Sequence, residues 1–306
     1  MTADVVVVTW RSGGRVLRCL DRLAEQQPGE RTFVVDNASA DGTAEGVRAR
    51  FPSVRVIELP ENRGFGPAVN AGAASGDGEA IVLVNDDVEV DEGFLEAMLA
   101  PLRADPDCGM VAGMTLVPGR VCVDGFGIEL DVTLAAYNRL RWASPTDRPG
   151  RLAMPSGGVA AYRRAAFDQA DGFDERLFAY GEDVDLGLRL RLAGWRAADA
   201  VDARGVHEGG ASVGSGTGRQ RELAGFARGF LLRRYGILRS RALPRALLFE
   251  MLVVGWGLAR HHTTTPLRAR VRGWRAAAGA RLPIPAETVD NRITAREAFR
   301  RLRAES

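Results

Sequence analysis

The sequence predicts an α/β fold, a parallel sheet flanked by helices, and three observations carry that prediction. Apolar, β-branched runs alternate with stretches of helical spacing from the first residues onward. Each run stops at a polar or glycine-rich turn, as strands do when they hand over to a crossover helix. The most apolar run, Ala80-Ile81-Val82-Leu83-Val84, is followed at once by Asn85-Asp86-Asp87, so a buried strand delivers two adjacent carboxylates to a sheet edge.

The first unit is the strand Val5-Val6-Val7-Val8-Thr9, the turn Trp10-Arg11-Ser12-Gly13-Gly14, and a helix marked by Val16, Leu17, Cys19, Leu20 and Leu23. The second is Thr32-Phe33-Val34-Val35-Asp36, a turn through Gly42-Thr43, and a helix to about Arg50. The third is Val54-Arg55-Val56-Ile57-Glu58, the loop Pro60 to Gly66, and a helix through Ala68 to Ala74. Strands alternating with short helices imply right-handed crossovers and put every strand's carboxyl end on one edge. Past the fourth strand the pattern is strand-like from Gly109 to about Leu130, loop-like over 135–153, and strand-like again from Val159 to Tyr162 after Gly157-Gly158. A helix from Arg163 to Ala170 follows, then a second acid cluster, Glu182-Asp183-Val184-Asp185, opening a helix that ends near Gly194-Trp195, and a strand from Arg196 to Ala200.

Ligands of open α/β sheets bind outside the carboxyl ends of the strands, which here gathers Thr9, Asp36, the Asn62-Arg63-Gly64 loop and Asp86-Asp87. Two adjacent carboxylates repel unless a cation is present, and hard oxygen ligands favour Mg²⁺ or Mn²⁺ completed by substrate phosphates. Asp36 can accept from a pyrimidine N3–H, Arg63 can meet phosphate, and Gly64 lets backbone approach closely. The alternative at Asp87 and Asp91 is a solvated turn in which one of them caps a helix. Glu182 and Asp185 likewise suit either chemistry or the favourable field at a helix N-terminus. His207, in the segment Gly205 to Ser212, sits beyond a strand and before a glycine pair, a plausible ligand position for a residue that is otherwise usually structural. The first strand is followed by no GxGxxG and the chain has no GxxxxGK[ST], which removes support from dinucleotide and P-loop readings.

Assembled in order, VVVVTW, VVDNASADGT, ENRGFGPAVNAG, VNDDVEV, GGVAAYRR with GFDE, GEDVDLGLRLRLAGW and HEGGAS resemble the inverting nucleotide-sugar glycosyltransferases of family 2, nearest to rhamnosyltransferase-like members. The resemblance covers roughly residues 4–235 and implies the GT-A fold, a Rossmann-like mixed sheet flanked by helices. It implies that Thr9 lines the nucleotide pocket, Asp36 reads the pyrimidine, and Arg63 and Gly64 help hold the nucleotide. Asp87 would bind Mn²⁺ or Mg²⁺ with Asp86 beside it on ribose or metal, and His207 would be the second protein ligand. Gly157, Gly158 and Trp195 would lie where donor sugar and acceptor meet, with Asp183 of the Glu182-Asp183 pair as catalytic base. Asn85 stands where a strict Asp-x-Asp has an acid, which puts that position in doubt as a ligand. The expected reaction moves a sugar, rhamnose first, from a dTDP- or UDP-sugar to a hydroxyl of a glycan, a lipid-linked glycan or a small natural product.

The expected division is a catalytic domain over 1–218, with a donor half to about 115 and an acceptor half from about 116, and a helical extension over 219–306. All 41 basic residues of the 306 are Arg; from Arg219 onward 19 Arg face 6 acids, a net of +13, which leaves 22 against 33, a net of −11, before it. An acidic front domain repels nucleic-acid phosphate, while the basic tail suits an anionic partner or pairs with the front domain. Helices are expected over 226–235, 247–259, 267–279 and 295–303. The apolar run 246–259 is shorter than the roughly 17–25 residues that span a bilayer, so the expectation is an interfacial anchor with Trp256 and Trp274, or a helical subdomain, or a homodimer contact. Cys19, Cys108 and Cys122 lack metal-ligand spacing and read as reduced thiols, and no leader-like segment precedes the first strand, so the protein is expected to be cytoplasmic, peripheral on the inner face of the membrane where the tail anchors it. Two further classes stay open here, a nucleotidyltransferase of sugar phosphates and a non-catalytic scaffold.

Overall fold

The computed structural model describes residues 1–26, 29–208 and 217–305. Its first half is built as the alternation predicts. Strand β1 (Ala3–Thr9) leads to helix α1 (Gly14–Ala24), β2 (Thr32–Asp36) to α2 (Thr43–Arg50), and β3 (Arg55–Glu58) to α3 (Phe65–Ala74). Strand β4 (Ala80–Val84) lies beside β1, and the parallel registers Val5↔Thr32 and Val5↔Val82 stack all three strand ends at one edge.

The apolar run ends at the carboxylates, as expected: β4 stops at Val84. Extended structure breaks at Asn85-Asp86-Asp87 and resumes as β5 (Val88–Val90), which pairs elsewhere in the sheet. Helix α4 (Phe94–Ala104) follows, a helix expected only in the alternative that makes Asp87 or Asp91 a cap; its Phe94, Leu95, Met98, Leu99 and Leu102 are buried at helical spacing, but Pro101 inside it reads as a breaker. Its cap position is Gly93, so neither Asp87 nor Asp91 caps it.

Strand β6 (Cys108–Leu116) carries the short β7 (Val123–Gly125), and β8 (Ile128–Leu130) forms a separate ribbon with β9 (Ala136–Asn138) inside the stretch expected to be loop. Strand β10 (Val159–Arg163) then enters between β4 and β6, antiparallel to both. After α5 (Arg164–Gln169) and α6 (Glu182–Leu192) comes β11 (Arg196–His207), parallel to β6 and antiparallel to β5. The order is β3-β2-β1-β4-β10-β6-β11-β5, a mixed sheet.

Alternate strand residues feed two cores. Val6, Phe33, Val35, Ile81 and Leu83 pack with α3, α5 and α6; Val5, Val7, Val34, Val82 and Val84 pack with α1 and α4. Both faces are thus covered, which is why these strands read as continuous apolar runs.

Beyond the sheet lie α7 (Gly218–Arg234), α8 (Leu243–His261), α9 (Thr265–Ala276) and α10 (Ala295–Glu305), in the same places as the four helices expected; α7, α8 and α10 are longer than expected, and α9 is shifted toward the N-terminus. Leu231, Leu232, Tyr235, Ile237 and Ala246 join the first core, so this region is fused to the sheet. Helices α7 and α9 cross with backbones nearly touching: a Cβ on Gly229 would sit 2.0 Å from Arg270 O, and one on Gly273 would sit 1.9 Å from Phe226 O.

Candidate active site

The topology gathers the predicted polar residues. Thr9 and Asp36 are register partners at the ends of β1 and β2, both buried. Asp36 Oδ1 accepts from Ser39 N at 3.0 Å. The next residue, Asn37, which the sequence reading passed over, ties the third loop to the second: its Oδ1 accepts from Arg63 N at 2.9 Å and its Nδ2 donates to Gly64 O at 3.0 Å. Gly64 has φ +93°, and a Cβ there would lie 2.1 Å from Phe178 O, so glycine is required twice over. The Arg63 guanidinium is partly exposed and paired with Glu175 Oε2 at 2.7 Å.

Because β10 runs against β4, its first residues lie at the same edge as β4's last. Asn85 N donates to Gly158 O at 2.9 Å, and a Cβ on Gly157 would lie 3.0 Å from the Phe65 ring. Helix α6 begins at this edge and runs away from it. Asp183, partly exposed in its first turn, accepts from Val184 N through Oδ1 at 2.8 Å and from Gly157 N through Oδ2 at 3.3 Å. Burial lifts the Asp183 carboxyl above its ordinary value against these backbone bonds, and lifts Glu182 to about 8, with the Asp183 charge adding. Asp185, one turn in, is a structural group: it is fully buried, 2.7 Å from Arg189 and 2.8 Å from Arg234, and accepts from the Tyr235 hydroxyl at 2.9 Å.

Strand β11 climbs back from the far edge, and its last residue is His207, seven positions beyond the end expected for that strand. Pairing of β11 with β5 sets His207 opposite Val88, so its Nε2 stands 3.3 Å from Asp87 Oδ1. The other ring nitrogen, Nδ1, is 2.7 Å from Asp124 Oδ2 on β7. Burial alone would lower the imidazole; the hydrogen bond with Asp124 and the nearness of Asp87 overcome it and push His207 up to about 10. Asp124 carries no sequence signal, being an isolated acid in a short edge strand. Burial pushes the Asp86 carboxyl up as well, opposed by the nearby Thr9 hydroxyl and reinforced by Asp87. The part of the HEGGAS motif at 209–212 lies outside the described residues.

Among the described residues, four buried side-chain oxygens lack a hydrogen-bond partner, and three of them, Thr9 Oγ1, Asp87 Oδ1 and Glu182 Oε2, are on this edge. Buried orphan acceptors cost about 1–3 kcal/mol each, which a bound ligand relieves. Asp87 Oδ1 fits a divalent cation as an anionic oxygen beside an imidazole nitrogen, though no group of three or more His, Cys, Asp and Glu side chains converges among the described residues. The chain would therefore supply two ligands and leave the rest to phosphate and water. Trp195 is not brought here. It stands at the opposite edge, against Gly109 at the start of β6, with its Nε1 donating to Gln169 at 2.8 Å.

Residues 4–170 match the family described as glycosyl transferase family 2. The chain belongs to glycosyltransferase family 2. It is 34% identical over 240 residues, 69% of this chain and 77% of the relative, to N-acetylglucosaminyl-diphospho-decaprenol L-rhamnosyltransferase of Mycobacterium tuberculosis. Its fold is similar to the mannosyltransferase PcManGT from Pyrobaculum calidifontis, in complex with GDP-Man and Mn²⁺, with TM-score 0.54 and 22% identity over 91% of this chain and 76% of that one. It is similar too to S. aureus TarS 1-349 in complex with UDP-GlcNAc, with TM-score 0.59 and 18% identity over 89% and 79%. The mixed sheet is thus the GT-A fold, and the protein is a rhamnosyltransferase-like glycosyltransferase; family membership displaces the nucleotidyltransferase and scaffold alternatives.

Proposed function

We propose that this glycosyltransferase moves rhamnose, or a related hexose, from a dTDP- or UDP-sugar to a hydroxyl of a lipid-linked glycan, with inversion and with Asp183 as base. The observation that carries the reading is the convergence of Asp183, Gly157-Gly158 and Asp87–His207 on the edge where Thr9 and Asp36 end their strands. The sugar and acceptor classes follow the M. tuberculosis relative, whose name gives a rhamnosyl transfer to a diphospho-decaprenol-linked N-acetylglucosamine.

In this reading Thr9 and Asp36 hold the nucleoside, and the Arg63-Gly64 loop lies along the diphosphate once Arg63 leaves Glu175. Asp87 and His207 would hold Mn²⁺ or Mg²⁺, which supplies charge compensation for the departing diphosphate. Asp124 holds the imidazole so that Nε2 faces Asp87. Asp183, its carboxyl raised by burial, takes the proton from the acceptor hydroxyl, and the raised value brings it nearer the range where a general base works at neutral pH. That hydroxyl then attacks the anomeric carbon from the face opposite the diphosphate.

The test is a thermal-shift panel of UDP, dTDP, GDP and CMP with and without Mn²⁺, on wild type and Asp87→Ala. A ligand at 100 times its Kd adds about 2.7 kcal/mol of apparent stability. A Mn²⁺-dependent shift with dTDP or UDP, lost in Asp87→Ala, is expected; no shift with any nucleotide counts against the donor assignment.

A further inference from the structure

Helix α8 leaves the protein body partway along its length. Its first turns bury Ala246 and Phe249, and Glu250 is turned inward, 2.7 Å from Arg228 and 2.6 Å from Arg270. From there Met251 is 65% exposed and Trp256 66%, and Leu252, Val253 and Leu258 are all more than 40% exposed, so apolar side chains meet solvent on several sides of the helix. No charged residue interrupts the sequence between Glu250 and Arg260. A helix apolar around most of its circumference is ordinarily buried in protein or lipid, and exposed apolar patches of this kind mark interaction sites. Helix α9 adds the exposed Leu267 and Val271.

The surroundings of the patch are cationic. Arg239 and Arg241 precede it, Arg260 closes it, and Arg268 and Arg275 follow on α9; all five are exposed, and none is within ion-pair distance of a carboxylate among the described residues. Two copies of the chain meeting through α8 would bring these like charges together. An anionic lipid surface would pair with them. No helix among the described residues is long and apolar enough to cross a membrane, so the helix would lie in the surface and not through it.

We infer that the outer half of α8 is a monotopic membrane-docking element: Met251, Leu252, Val253, Trp256 and Leu258 enter the headgroup–acyl boundary of an anionic bilayer, and the flanking Arg residues contact the lipid phosphates. This goes beyond the donor and acceptor reading and does not depend on it. It would confine the protein to a surface of the kind that also holds polyprenyl-linked molecules.

The experiment is flotation of the full chain with phosphatidylcholine vesicles, with and without phosphatidylglycerol, at two salt concentrations, using wild type and M251E/W256E. Both positions are exposed, so the double variant should keep its melting temperature. Wild type is expected to float with the anionic vesicles and to lose binding as salt rises; the variant should bind at least about tenfold more weakly, since each buried apolar group lost weakens partitioning. Equal flotation of the two proteins, or of wild type with both vesicle types, overturns the inference. So does light scattering that shows a wild-type dimer abolished in M251E/W256E while neither protein floats. The nucleotide panel on the same preparations keeps the two readings apart, because flotation needs no donor.

Discussion

Asp124 Oδ2 lies 2.7 Å from His207 Nδ1, and this contact between a short edge strand and the last residue of β11 fixes which ring nitrogen faces Asp87. A carboxylate behind an imidazole orients it and makes it a better metal ligand. Asp124→Ala should weaken Mn²⁺-dependent nucleotide binding by about 10–100-fold while leaving metal-free nucleotide binding unchanged. Asp124→Asn, which still accepts the Nδ1 hydrogen bond without the charge, should fall between. Calorimetry with and without Mn²⁺ checks this; an equal loss in both conditions would mean that Asp124 merely supports the fold.

Asp183→Asn keeps size and, through its one amide oxygen, the shorter backbone contact with Val184 N, gives up the longer one with Gly157 N, and removes the proton acceptor. Turnover should fall on the order of 10²–10⁴-fold, with donor binding within about twofold of wild type. Glu182→Gln beside it should retain most turnover, since Glu182 is buried and Asp183 is open to the cleft. Rates measured under saturating donor separate the two: a larger loss in Glu182→Gln than in Asp183→Asn would exchange their roles.

How far the sequence reaches is visible in these same residues. The strand-end positions of Thr9, Asp36 and Asp86-Asp87 follow from apolar runs that stop abruptly, and period and polarity place them without a structure. His207 could be suspected but not placed, because β11 mixes exposed and half-buried residues and lacks a clean alternation. Asp124 and Asn37 act through long-range pairing that no local pattern encodes. Trp195 shows the converse: it follows the acid-cluster helix in sequence, but eleven residues of α6 carry the chain from the site edge to the opposite one. The outward turn of α8 is likewise tertiary, since an apolar run reads the same whether it is covered or bare.

The α7–α9 crossing should be intolerant of a single methyl group. Gly273→Ala places a Cβ 1.9 Å from Phe226 O, against backbone that cannot rotate away. Overpacking of this kind typically costs about 1–3 kcal/mol. The melting temperature should fall accordingly, whereas Gly255→Ala, where nothing lies within 4 Å, should leave it unchanged or slightly raised. Denaturation followed by near-ultraviolet circular dichroism also reports on Trp274, which lies in α9 and packs against the first core.

The buried Glu182 makes a prediction about pH. Its Oε2 is buried without a partner at the N-terminus of α6, where the helix field favours an anion by only about 0.3–1 kcal/mol. Burial wins, and the carboxyl is raised from an ordinary 4.5 to about 8. The folded protein therefore holds a proton here that the unfolded chain has released. The stabilisation is complete below the unfolded value of 4.5 and is lost as pH rises through about 8. Across that window the site should lower stability with rising pH, by at most about 1.4 kcal/mol per pH unit for one proton. Glu182→Gln keeps a neutral side chain at every pH and removes the slope. Urea midpoints from pH 5 to 8 in chelator should thus show the variant gaining on wild type as pH rises; parallel profiles would mean that Glu182 ionises freely in the folded state.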